Sequence, residues 1–124
     1  MGRHSEIHDL EREIAECEDA LCMIDDKEKI IRRLKAEITE DVEEPVKSYD
    51  MTVAGEFRGT VEEKAEDMQN YIYGETHLAQ EETSELLSEM ERAKERIREH
   101  IDKCQRRIDQ LWEEIEAESR SNAI

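Results

Sequence analysis

The histidines and cysteines are the side chains best suited to chemistry in this 124-residue chain. His4 and His8 are four residues apart, a spacing that places two metal ligands on one face of a helix. A third ligand at a fixed spacing is missing, so we interpret this pair as part of a solvated helical face. His77 and His100 stand alone in the sequence and need no functional explanation.

The three cysteines follow neither a paired metal-binding spacing nor a disulfide framework, and their odd number indicates a reducing compartment. Cys17 and Cys104 fall on apolar helical stripes, where cysteine serves as a small buried side chain. A disulfide latch between these two is the less favoured alternative, and Cys22 is the expected exposed thiol. No Glu-x-x-His pair occurs in the chain either. We therefore predict no catalytic residue, no metal site and no cofactor, and a protein that is not an enzyme.

Composition favours long helices as the elements that carry these residues. Charged residues make up 43%, hydrophobic residues 36% and aromatic residues 4%, with a single proline, a profile typical of coiled coils. A net charge of −17 argues against nucleic acid or an anionic membrane surface as a partner. No stretch approaches the roughly 20 apolar residues of a membrane span. We expect a cytoplasmic protein, with export alongside a partner as the alternative.

Apolar residues recur at spacings of three and four along two arms, which predicts two amphipathic helices. In the first arm, about residues 4–54, the stripe is Ile7, Leu10, Ile14, Cys17, Leu21, Ile24, Ile31, Ile38 and Val42. In the second arm, about residues 60–119, it is Val61, Ala65, Met68, Ile72, Ala79, Leu86, Met90, Ala93, Ile97, Ile101, Cys104, Ile108, Leu111 and Ile115. Pro45 predicts a kink in the first arm. Thr60 and Glu63 predict a capping box at the start of the second.

The break at residues 55–59 contains two of the four glycines and predicts that the chain reverses there. The expected fold is all-α: one antiparallel helical hairpin over residues 1–124, with Ile7 set against the second arm near Ile108. Two helices bury only one thin seam, so the hairpin is expected to complete a four-helix or larger bundle with a partner. The candidate partner-binding residues are Tyr71, Ile72, Tyr73, Leu78, Leu86 and Leu87.

A helical hairpin whose turn carries Phe57, Arg58 and Gly59 resembles the WXG proteins of type VII secretion, with phenylalanine in the tryptophan position. In length and acidity the chain is most similar to the small helical partner proteins encoded beside LXG toxins. The resemblance implies that Phe57 packs at the end of the hairpin and that Gly59 lets the chain reverse. The family's export signal, Tyr-x-x-x-Asp/Glu, is not found at the C-terminus, where Trp112 and Glu116 are the candidate targeting residues.

The resemblance implies an adaptor that acts like a targeting chaperone. It would bind the helical N-terminal domain of an LXG toxin and present the toxin to the secretion machinery. A second small helical protein is a further candidate partner in this complex. The alternative is a self-associating structural protein in which two hairpins form a homodimeric four-helix bundle. Neither role involves nucleic acid or insertion into a membrane.

Overall fold

A computed structural model describes residues 2–48 and 59–122 of the chain. The first arm consists of helix α1, Arg3–Ile38, a π-helical turn, Thr39–Glu43, and helix α2, Glu44–Ser48. The second arm is one helix, α3, Thr60–Asn122. Neither described range contains a strand, and the predicted all-α helical hairpin is confirmed. None of the helices in these ranges has a stretch long and apolar enough to cross a membrane.

The start of α3 depends on Gly59. Its φ of 64° lies in the left-handed region that glycine adopts without a steric penalty. The Gly59 carbonyl accepts the first helical hydrogen bond, from the Glu63 N–H at 3.1 Å. Gly59 therefore occupies the N-cap position, one residue before the expected cap at Thr60, and Thr60 is the first residue of the helix.

The first arm widens into a π-helical turn just before Pro45. The Glu44 N–H donates to the Thr39 carbonyl, five residues back instead of four. A proline cannot donate to the carbonyl four residues before it, and its ring crowds that carbonyl, here Asp41. The π turn relieves this crowding, and the helix resumes over Glu44–Ser48.

The described residues form two compact units, and each contains a segment of both arms. The first unit comprises residues 2–27 and 90–122, and the second comprises residues 28–48 and 59–89. The core of the first unit is Ile7, Ile108 and Leu111, surrounded by Leu10, Ile14 and Ile115. Leu111 is completely buried. This core agrees with the expected pairing of the start of the first arm with the end of the second.

Ion pairs on the surface of the first unit follow the antiparallel order of the arms. Arg3 pairs with Glu114 at 2.9 Å and with Glu118, and Arg107 pairs with Glu6 at 3.0 Å. Hydrogen bonds that the guanidinium groups donate to these carboxylates raise the pKa of both arginines. All these side chains are well exposed, so the pairs fix the order of the arms more than they stabilise the unit.

A buried lysine pairs with two half-exposed carboxylates further along the first unit. Lys94 is 5% exposed, and its Nζ lies 2.7 Å from Asp25 on α1 and 3.0 Å from Glu91. The lysine occupies an interior position of α3, whereas the sequence predicted the preceding residue, Ala93, at that position. Polar residues therefore begin to replace apolar ones in the interior of the arms at this point.

Candidate functional site

The interior of the second unit is polar. Gln80 is 6% exposed, and its amide donates to the Lys35 carbonyl and to the Thr39 hydroxyl, both at 2.9 Å. Glu28 is buried as well. Among the described residues of this unit, Leu87 is the only buried hydrophobic side chain. Hydrogen bonds therefore supply part of the interior between the two arms here, where few apolar side chains are fully buried.

Further polar contacts join the arms toward the end of this unit. Gln69 of α3 donates to the carbonyl of Val46 on α2. His77 lies 3.4 Å from Glu43 on the π turn and 3.2 Å from Glu81 on its own helix. The His77 ring is stacked on Tyr73, with ring centres 5.9 Å apart. These contacts are antiparallel in order, since residue numbers rise along one arm as they fall along the other.

One set of apolar side chains in the second unit is exposed, and most of its members were expected between the arms. The exposed set, between 38% and 59% accessible, is Ile30, Leu34, Ile38 and Val42 on α1 and the π turn, with Val61, Met68, Ile72 and Leu86 on α3. The sequence placed seven exposed residues in the interior, and these predictions are wrong: Ile38, Val42, Val61, Met68, Ile72, Ala79 and Leu86. In each case the following residue turns inward, as Thr39 does after Ile38 and Leu87 after Leu86.

The phase of each helix explains the shift. In α3 the interior positions continue back from Leu111 in alternating steps of three and four, which reaches Lys94, Leu87 and Gln80. The apolar stripe of α3 in the second unit lies one position before this series, which places it about 100° from the interior direction. In the first arm the π turn makes consecutive interior positions four residues apart, at Lys35, Thr39 and Glu43.

Most of the exposed apolar residues of both arms lie on one side of the second unit. On each arm they immediately precede an interior position, which rotates them by about 100° from the line between the helices. Because the helices are antiparallel, equal rotations on the two arms point to the same side. We call this surface the apolar face and define it as Ile30, Leu34, Ile38, Val42, Met68, Ile72 and Leu86. Glu75, Ala79 and Glu82 occupy the intervening equivalent positions of α3.

The six candidate partner-binding residues are distributed around α3 and do not share one side. Ile72 and Leu86 belong to the apolar face. Tyr71 and Leu78 are 65% and 50% exposed and point away from the first arm, two residues from the nearest interior positions. Tyr73 is half-buried, and Leu87 lies inside the unit.

The candidate targeting residues lie in the first unit. Trp112 is 47% exposed, and its ring meets that of His4 edge-on, with centres 5.6 Å apart. Glu116 lies 3.4 Å from Arg120, one turn further along α3. Of the turn motif, Phe57 and Arg58 lie outside the described residues.

A cluster of three polar side chains joins the arms within the first unit. His100 Nε2 lies 2.6 Å from the Glu13 carboxylate and 3.6 Å from Cys104 Sγ. Cys104 is buried, and this burial raises the pKa of its thiol, with smaller contributions from Glu13 and Cys17. This cluster was not predicted from the sequence, because its residues come from two arms. The His-x-x-x-Cys spacing of His100 and Cys104 was the available signal.

Cys22 is exposed and Cys17 is half-buried. The three cysteines are free thiols. Comparison of the chain with protein-family models, curated proteins and solved structures gives no match.

Proposed function

We propose that this chain is an adaptor that binds a helical partner protein through the apolar face of its second unit. The observation that carries the proposal is the arrangement of that unit, in which hydrogen bonds occupy the interior and apolar side chains occupy one outer side. Contiguous apolar surface of this kind is typical of protein interaction sites. A partner helix that lays its own apolar stripe along the face would supply the missing layer.

The size of the face indicates how much of the affinity it supplies. Complete burial of a Leu, Ile, Val or Met side chain contributes about 1.5–3 kcal/mol, and these side chains are roughly half exposed already. Covering all seven therefore contributes on the order of 7 kcal/mol. Association itself costs at least about 4 kcal/mol, so polar contacts around the rim must add to the affinity.

Charge favours a different protein over a second copy of this chain. Each copy carries a net charge of −17, and Glu75 and Glu82 lie within the face itself. Two acidic copies would repel each other along such an interface. A partner with basic residues beside its apolar stripe would pair with these carboxylates, which adds specificity and speeds association.

The partner class that we propose is the helical N-terminal domain of an LXG toxin, and the setting is type VII secretion. This part of the proposal rests on the resemblance of the hairpin and its Phe57-Arg58-Gly59 turn to WXG proteins. In that setting the adaptor would keep the toxin's apolar helices covered until the secretion machinery receives them.

The test is co-expression with the helical N-terminal domain of an LXG toxin, followed by measurement of the mass of the purified complex. Leu34→Glu places a charge on the apolar face, and Leu78→Glu is its matched control. The two leucines have similar exposure, 47% and 50%, but face different sides of the same unit. We expect Leu34→Glu to weaken the complex at least about tenfold and Leu78→Glu to leave it intact.

Two outcomes contradict the proposal. If both variants bind as well as the wild type, the apolar face is not the binding surface. If the isolated chain is a stable dimer that Leu34→Glu separates, and no neighbouring product copurifies, the face serves self-association and the structural coiled-coil alternative replaces the adaptor role.

A further inference from the structure

The cluster of Glu13, His100 and Cys104 has the composition of a transition-metal site. It offers one carboxylate oxygen, one imidazole nitrogen and one thiol sulfur, and these atoms all lie within 4.8 Å of one another. Thiolate and imidazole ligands suit Zn²⁺, whereas Mg²⁺ and Ca²⁺ take oxygen ligands. The three ligands therefore select for zinc among the common divalent ions of cells.

The separation between His100 and Cys104 matches tetrahedral zinc coordination. Zinc–sulfur and zinc–nitrogen bonds of about 2.3 and 2.05 Å at the tetrahedral angle place the two ligand atoms about 3.6 Å apart. The observed distance between His100 Nε2 and Cys104 Sγ is 3.6 Å. These two residues lie on consecutive turns of α3, so the helix backbone itself sets the spacing.

Glu13 needs only a small movement to join them. Its oxygen lies 2.6 Å from His100 Nε2, whereas two oxygen and nitrogen ligands of one zinc ion lie about 3.4 Å apart. The Glu13 side chain is 46% exposed, so it can withdraw by less than about 1 Å without disturbing the core. The ion would replace the hydrogen bond that now joins the two side chains.

The burial of the three groups gives the ion a route of entry. Cys104 forms the inner wall of the cluster at 4% exposed, while the side chains of His100 and Glu13 are about half exposed. Solvent therefore reaches the cluster from one side and can supply the fourth ligand. Three protein ligands with one open position is an established arrangement for zinc.

We propose that Glu13, His100 and Cys104 form a zinc-binding site that links the two arms of the first unit. The site goes beyond the proposed adaptor role and uses none of the residues of the apolar face. Because Glu13 comes from α1 and the other two ligands from α3, the bound ion stabilises the packing of one arm against the other. Zinc then strengthens the first unit without covering the binding surface of the second.

The site is tested by titrating the full chain, kept reduced, with Co²⁺ as a spectroscopic substitute for zinc. We expect one Co²⁺ per chain, the absorption pattern of tetrahedral cobalt, and a thiolate-to-cobalt charge-transfer band that excess Zn²⁺ removes. Zn²⁺ should also raise the midpoint of thermal unfolding.

Variants assign the ligands. Changes in residues that merely orient ligands weaken metal binding by about 10–100-fold, so Glu13→Gln and His100→Gln should each weaken it at least about tenfold. Cys104→Ala should abolish the charge-transfer band. Because Cys104 is buried, circular dichroism must first show that this variant folds, and the two variants at exposed positions keep the test decisive if it does not.

Two control variants test whether Co²⁺ binds to histidine or cysteine side chains outside the cluster. His77→Gln removes an exposed histidine that also lies near two carboxylates but has no thiol, and Cys22→Ala removes the exposed thiol. Both should bind Co²⁺ as the wild type does. Absence of a charge-transfer band in the wild type, or its persistence in folded Cys104→Ala, would overturn the proposed site.

Discussion

The buried amide of Gln80 donates a hydrogen bond across the arms to the main-chain carbonyl of Lys35, at 2.9 Å. Gln80→Ala removes this bond and the one to Thr39, and it leaves a cavity in a buried interior. We expect the free energy of unfolding to fall by about 1–3 kcal/mol, measured by urea denaturation. Gln105→Ala is the matched control, because Gln105 is exposed and bonds only to Asp109 on its own helix. A loss below about 0.5 kcal/mol for both variants would contradict the role of Gln80.

Leu111 is the most deeply buried side chain of the first unit, and its truncation should be costly. We expect Leu111→Ala to lower the free energy of unfolding by about 2–5 kcal/mol, through lost burial and the cavity that remains. Leu34→Ala truncates the same side chain on the apolar face, where it is 47% exposed, and should cost much less. Similar losses at both positions, measured by urea denaturation, would show that the two sites do not differ in burial.

The raised pKa of the Cys104 thiol predicts a dependence of stability on pH. Burial makes the folded protein hold this proton more tightly than the unfolded chain does, and nearby Glu13 and Cys17 act in the same direction. The contribution of Cys104 is therefore fully present below the ordinary thiol pKa of 9.0 and declines as the pH rises through that value toward the folded pKa.

The measurement is urea unfolding of metal-free protein between about pH 7.5 and about pH 10. Cys22→Ala should lose stability at the alkaline end as the wild type does, because its thiol is exposed. Cys104→Ala should lose less over the same range. Parallel curves for the two variants would show that the Cys104 proton makes no difference to folding.

The left-handed backbone of Gly59 predicts the effect of replacing it. Gly59→Ala meets no neighbouring atom within 4 Å, so its cost is conformational strain alone, about 1 kcal/mol in thermal or urea unfolding. Gly59→Asn should cost less, because asparagine tolerates this region better. Equal stability of the wild type and Gly59→Ala would mean that the start of α3 does not depend on this backbone conformation.

The acidity of the chain predicts that association with a basic partner depends strongly on salt. Raising the salt concentration from about 0.01 M to about 1 M shortens the screening distance from about 30 Å to about 3 Å. We expect the association rate constant, measured by stopped-flow fluorescence of a dye-labelled partner, to fall at least about tenfold. A rate that is independent of salt would indicate that the partner is not recognised by charge.

The sequence predicted the two arms and the core of the first unit because that region repeats its apolar residues in steps that match the helix. Ile7, Ile108 and Leu111 follow this rule and pack together. The second unit could not be predicted in the same way. There the apolar stripe and the geometric interior differ by one residue, and hydrophobic periodicity alone would place Ile72 inside and Gln80 outside.

The candidate sites differ in how far the sequence could reveal them. Ile72 and Leu86 were expected to bind a partner, but Leu34 and Ile38 of the same face were not. Which residues of an arm are covered by the other arm depends on the register between the two arms, and the sequence does not show that register. The cluster around Cys104 required that register too, since Glu13 lies 87 positions from His100 in the chain.

The π turn at Thr39–Glu43 has the form of a one-residue insertion into an otherwise regular helix. Because α1 sets the direction of Ile38, removing one residue, such as Glu40, would restore regular helical spacing and turn Glu43 and Val46 by about 100° relative to α1. The hydrogen bond that the Val46 carbonyl accepts from Gln69 would then be lost. A single residue in this turn thus decides whether these polar contacts between α2 and α3 can form.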